Sequence, residues 1–92
     1  MLMESARRVI DPHGTLPNVE FEFTSYSFDN IDRDVVKIYH DDKPVGNCDI
    51  VYENALKIAH FDGVDVHARH QGKGIGIATY AMAIDRAHER GY

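Results

Sequence analysis

The chain has 92 residues, enough for one domain and no more, since autonomous domains usually run from about 50 to 200 residues. Hydrophobic residues make up 43% and charged residues 27%, with only seven Gly and three Pro, which excludes a low-complexity or collagenous chain. The formal net charge of −5 speaks against a general nucleic-acid backbone binder.

Charge distribution is more informative than its sum. Residues 18–65 hold eleven acids against Arg33, Lys37, Lys43 and Lys57, whereas residues 66–92 hold Arg69, Lys73, Arg86 and Arg90 against Asp85 and Glu89. An acidic body therefore carries a basic C-terminal quarter, an arrangement suited to an anionic ligand at one end and a cationic one near the other. Cys48 is the sole cysteine, so no internal disulfide forms. The opening MLMESARR loses its apolar character at Glu4, and no apolar run approaches the roughly 18 residues of a membrane span. A cytoplasmic protein without a membrane partner is expected.

In chain order, residues 1–17 form an N-terminal segment whose apolar positions fit a short helix or, over residues 7–10, a strand leading into a turn at Asp11, Pro12, His13 and Gly14. Val19, Phe21 and Phe23 then alternate with Glu20, Glu22 and Thr24, the period of a half-buried strand, and the phase slips towards Tyr26 and Phe28 as at a bulge. Residues 29–34 read as a polar turn. Residues 35–40 and 45–52 flank Asp41, Asp42, Lys43 and Pro44, a tight reversal that makes a hairpin. After a turn at Glu53 and Asn54, residues 56–66 form another strand, interrupted by a bulge at Asp62 and Gly63. The period then changes: Ile77, Tyr80, Ala81, Ile84, Ala87 and His88 recur at helical spacing, with Gly91 a suitable C-cap, so a helix over 74–90 is predicted with the stripe Ile77, Tyr80, Ala81 and Ile84 in the core. The fold class is α+β, an antiparallel sheet of about four strands over 18–66 followed by one long helix.

Between strand and helix lies a glycine-rich turn over 67–76. Gly72, Gly74 and Gly76 leave its backbone without side-chain cover, and N–H groups at the positive end of a helix dipole converge on anions. The turn is no P-loop, since Gly74 rather than Ser or Thr follows Lys73 and position 67 is His. It is no dinucleotide fingerprint either, because the third glycine would fall on Ile77 or Thr79.

Gln71, Gly72, Lys73, Gly74, Ile75 and Gly76 resemble the Gln/Arg-x-x-Gly-x-Gly/Ala signature of the GNAT superfamily of N-acetyltransferases, in the place that family puts it, after a strand and opening an amphipathic helix. The resemblance is close over 64–90 and weaker back to Arg33. It implies the N-terminal half of an acyl-CoA N-acyltransferase fold, a single domain over 1–92, and a minimal or C-terminally truncated member lacking the second wall of the acyl cleft and its Tyr general acid. It also implies that acetyl-CoA is the cofactor. The N–H groups from Gln71 to Gly76 would hold the pyrophosphate, Arg69, His70 and Lys73 would add charge, and the pantetheine arm would pair with the strand edge at Val64 and Val66.

Acetyl transfer to an amine needs a base, because the acceptor's own pKa lies near 10. In some family members a Glu stands eleven residues before the signature; counting back from Gln71, that position holds His60, with Asp62 two residues on as its orienter. These two are the catalytic candidates. His67, His70 and Asp65 share no ligand face, so no metal is expected. Cys48 reads as a small core residue, and Tyr92 as a stand-in acid only across a second chain. The function expected is acetyl transfer from acetyl-CoA to a primary amine, a protein Lys or a small cationic amine. A catalytically inactive CoA-binding module and an interaction protein are the alternatives. A homodimer covering the unpaired strand edge is also expected.

Overall fold

The computed structural model describes the backbone at 2–3 and 7–10, and residues 16 and 18–92. Its strands are β1 (Leu2–Met3), β2 (Arg7–Ile10), β3 (Val19–Phe28), β4 (Ile31–His40), β5 (Lys43–Glu53) and β6 (Ile58–Val66). A single 3₁₀ turn (Ala68–His70) and the helix α1 (Ile75–Glu89) follow. Every pairing is antiparallel, in the order β1-β3-β4-β5-β6, with β2 also on β3. Four long strands and one helix match the α+β expectation. The N-terminal segment, open between helix and strand in the sequence, pairs with β3 as two short strands; the turn expected at 11–14 lies outside the described residues.

Two-residue reversals join β3 to β4 and β4 to β5, while a four-residue turn over 54–57 joins β5 to β6, so the strand expected from 56 begins at Ile58. Asp41 and Asp42 both take positive φ (52° and 65°), the geometry that matches the twist of a tight hairpin, and Lys43 already belongs to β5. The polar turn expected at 29–34 contracts to residues 29–30. The β3–β4 ladder runs unbroken from Val19 opposite His40 to Phe28 opposite Ile31, so Asp32 and Asp34 are strand residues and β3 carries no bulge. The phase slip has a different cause. Inward positions continue from Val19, Phe21 and Phe23 to the buried Ser25, and Tyr26 and Phe28 belong to the opposite face.

The bulge expected at Asp62 and Gly63 is present. Register passes from Cys48 opposite Val64 to Ile50 opposite Phe61, placing one extra residue in β6, and Gly63 has φ 86°. Gly46 answers it across the ladder, since a Cβ there would collide with the Asp65 carbonyl oxygen.

One sheet face is covered by α1. Val19, Phe21, Val36, Ile38, Ile50 and Tyr52 meet Ile75, Ala78, Met82 and Ala83 in the core. The helix therefore lies rotated by about half a turn from the expected orientation. Ile77, Tyr80 and Ile84 are 70%, 52% and 58% exposed. Apolar residues occur on both sides of α1, so periodicity alone did not choose between them. The small side chains of Ala78 and Ala83 allow close approach to the sheet, and only this rotation turns Arg86 and Arg90 inward to a buried aspartate.

Candidate functional site

The loop from Val66 to α1 is shaped by local hydrogen bonds. His70 N–H donates to His67 O at 2.8 Å and Gln71 N–H to Ala68 O at 3.2 Å, closing the 3₁₀ turn. The Gln71 side chain folds back, Nε2 donating to Val66 O at 2.9 Å, and so caps the end of β6. Gly72 and Gly74 then take positive φ (80° and 84°), a conformation that favours glycine. Among the described residues no backbone carbonyl accepts from the N–H of Gly72, Lys73 or Gly74. The first helical bond outside the turn runs from Ala78 N–H to Gly74 O, leaving the leading N–H groups of α1 unanswered as well.

Among the described residues, nothing beyond the local chain lies within 4 Å of where a Cβ would stand at Gly72, Gly74 or Gly76. For Gly76 no positive φ explains the glycine, and a helical Gly costs about 1 kcal/mol relative to Ala. Open space over bare N–H groups at a helix N-terminus, with no acid in the first turn, fits a diphosphate. Arg69 and Lys73 stand exposed beside it. His70 differs from them: lost solvation and the positive charge of Lys73 and Arg69 hold its pKa below the ordinary value, so near neutral pH it stands as uncharged imidazole.

Half of the basic quarter is already engaged. Asp34, fully buried on β4, accepts from Ser25 Oγ at 2.6 Å, Tyr52 Oη at 2.7 Å, Arg86 Nε at 2.9 Å and Arg90 Nη2 at 3.2 Å. Burial works to raise its pKa, yet the hydrogen bonds from Arg86, Ser25 and Tyr52 and the charge of Arg86 outweigh it, holding the carboxyl below the usual carboxylate range. Burial and the Asp34 hydrogen bond push the Tyr52 phenol up. Arg90 also lies over the Tyr52 ring at 4.5 Å and reaches Asp32 at 3.5 Å. Arg86 and Arg90 thus fasten the helix and are not held out to a ligand, leaving the anion-facing charge to Arg69 and Lys73. Sequence reading missed this cluster because its partners lie 52 and 56 residues apart.

Among the described residues no helix covers the sheet's other face. His60 and Asp62 lie there on β6, with Val51 and Glu53 on β5, around a depression of about 370 Å³ whose rim includes Phe61, a residue turned to the helix side. The carboxylate beside His60 is Glu53, Oε2 standing 3.4 Å from Nε2. The expected orienter Asp62 shares the depression, at the bulge. Glu53 carries no sequence signal, since its link to His60 crosses two strands. Arg33 on the same face is paired with Asp49.

Cys48 is buried, and burial with the charges of Asp49 and Asp34 pushes its thiol up to about 12, which removes it as a nucleophile near neutral pH. Among the described residues no group of His, Cys, Asp or Glu is placed to hold a metal. Tyr92 packs on Tyr52 with ring centres 5.2 Å apart, and its hydroxyl donates to Asn54. No helix among the described residues is long and apolar enough to cross a membrane. Val64 and Val66, half-buried, end β6, the outermost strand of the sheet on this side.

Fold and loop together describe an antiparallel sheet whose last strand feeds a helix N-terminus with open backbone N–H groups. The family model for the Acetyltransferase (GNAT) family matches residues 3–92, and the chain belongs to that family. Searches of curated proteins and of solved structures returned no match. An acetyltransferase-type activity follows from the family.

Proposed function

We propose that this chain binds acetyl-CoA in the 67–76 loop and transfers its acetyl group to a primary amine, a protein Lys or a small cationic amine. One observation carries the reading: the uncovered N–H groups of Gly72, Lys73 and Gly74 open onto empty space at the start of α1. With them, Ile75 and Gly76 at the helix start, Arg69 and Lys73 would hold the diphosphate. His70 would contribute as a neutral hydrogen-bonding group, and Gln71 would act by fixing the strand end. The outer edge of β6 at Val64 and Val66 would take an extended amide-bearing arm as an added strand.

Bound acetyl-CoA supplies an activated thioester: a C–N bond forms, the C–S bond breaks, and of the two protons the ammonium loses, one goes to the base and one to the departing sulfur. The chain's own task on the acceptor side is to take the first proton. His60 is the residue for it, an imidazole half-exposed on the open strand face beside Glu53, in a depression that an amine can enter. The protein would also form a homodimer through the exposed Ile77, Tyr80 and Ile84 of α1 and the first half of the β6 edge, leaving Val64 and Val66 to the arm.

Incubation with acetyl-CoA and a panel of amines, with thiol release as readout, tests the reaction. Release that depends on the amine is expected. Acetyl-CoA raising the melting temperature without any release would mark an inactive CoA-binding module instead, and no thermal shift at millimolar acetyl-CoA would discard the cofactor site. Light scattering at tens of micromolar checks the dimer against the one-chain mass of 10.4 kDa.

A further inference from the structure

We propose that Glu53 is the positioning residue for His60, holding its imidazole through Nε2 so that Nδ1 is the nitrogen left to take the acceptor's proton. The inference rests on the reading of His60 as the base. Register brings the two together: His60 stands opposite Val51 and Glu53 opposite Ile58, so both side chains occupy the open face on a short diagonal across β5 and β6. Their closest approach is 3.4 Å, between Glu53 Oε2 and His60 Nε2.

Of the other carboxylates near β5 and β6, Asp62 lines the depression but makes no ion pair with His60 among the described residues, and two are engaged elsewhere. Asp49 is held by Arg33 on the same face, and Asp32 faces the helix side, where Asn54 and Arg90 hold it. Among the described residues Glu53 has no other charged partner, which leaves it to the imidazole. A histidine half-exposed on a bare strand face samples several rotamers and both neutral tautomers. A carboxylate at Nε2 favours the tautomer with its proton there, and only the other nitrogen then has a lone pair to offer. The pair lines one depression with Val51, Phe61 and Asp62, so the free nitrogen belongs to a space large enough for an amine. An acceptor ammonium entering there gives one proton to Nδ1, and the imidazolium so formed passes it to solvent after the amide has formed.

A double-mutant cycle on the full chain tests this. Glu53→Ala is expected to lower kcat by about ten- to a hundredfold with the KM for acetyl-CoA unchanged, the loss that follows when a reacting group is held loosely. Glu53→Gln should recover part of it, because its amide oxygen can accept from Nε2 in the carboxylate's place. His60→Ala and the His60→Ala/Glu53→Ala pair should be equally slow, since Glu53 acts only through His60. Losses that multiply in the pair would overturn the positioning role while leaving His60 as base. Full activity of His60→Ala, or a wild type without turnover, would overturn the parent reading and this one with it. Independently of turnover, the His60 Cε1–H NMR signal should move in Glu53→Ala and hold in Asp62→Asn; a signal unmoved by Glu53→Ala overturns the contact itself.

Discussion

The two ends of α1 are built on opposite terms. At its C-terminal end nearly every polar group is answered: Arg86 and Arg90 close on buried Asp34, Gly91 N–H donates to His88 O at 2.9 Å, and Tyr92 N–H donates to Ala87 O at 2.9 Å in a Schellman closure. At its N-terminal end Gly72 and Gly74 curve through positive φ and leave their N–H groups open. The ends lie roughly 22 Å apart at 1.5 Å per residue over the helix. Fastening is thus concentrated at one end, and the unanswered donors at the other are where the proposed diphosphate site lies.

The largest expected effect comes from breaking the fastened end. Asp34→Ala leaves two guanidinium groups facing the interior without their carboxylate, and removing one partner of such a cluster costs about 3–5 kcal/mol. Urea unfolding should show the loss, and a loss below about 1 kcal/mol would mean the cluster is a surface pairing. The sign with pH follows from the depressed pKa. A carboxyl more acidic folded than unfolded stabilises fully above its unfolded value, near 3.8, and loses that contribution as pH falls through the lower folded value. The wild-type advantage over Asp34→Asn should therefore hold at pH 5 to 7 and shrink below pH 4.

Breaking the open end should separate binding from folding. Gly74→Asp puts a carboxylate where the diphosphate is proposed to sit and is expected to weaken acetyl-CoA binding by about a hundredfold through like-charge repulsion. Asp tolerates the left-handed region better than most residues and serves as an N-cap, so stability should change by no more than about 1 kcal/mol. Isothermal titration alongside thermal unfolding checks both halves. Equal affinity in the two proteins would move the cofactor off this loop.

The same contrast explains what was legible in the sequence. The glycine turn, the Asp62–Gly63 bulge and the period change at the helix are local, written in consecutive residues, and they stand in the structure. Asp34 is not local: a charged residue in the run 29–34 reads as solvated turn, and only Arg86 and Arg90, brought back by the fold, make its burial tolerable. The false bulge in β3 follows from the same gap, since Ser25 looks like an interruption until its hydroxyl is seen donating to Asp34. Glu53 and His60 meet across a strand pair whose bulge alters register, so spacing along the chain could not join them.

The smallest expected effect concerns the outward face of α1, where periodicity and structure disagree. Had Ile77 and Ile84 been core residues, cutting either back to a small side chain would cost about 2–5 kcal/mol. At 70% and 58% exposure they have little left to lose, and Ile77→Ser or Ile84→Ser should change unfolding free energy by about 0.5 kcal/mol or less at low micromolar protein. Protein concentration sharpens the test. If the proposed homodimer covers this stripe beside Tyr80 and Phe61, whose rings already pack 4.9 Å apart, wild-type stability should rise with concentration and the serine variants should lose that rise. A concentration-independent wild type, matched by both variants, would leave the stripe as plain exposed surface. A loss near 3 kcal/mol at every concentration would instead mean that α1 lies the other way round, and that Arg86 and Arg90 do not reach Asp34.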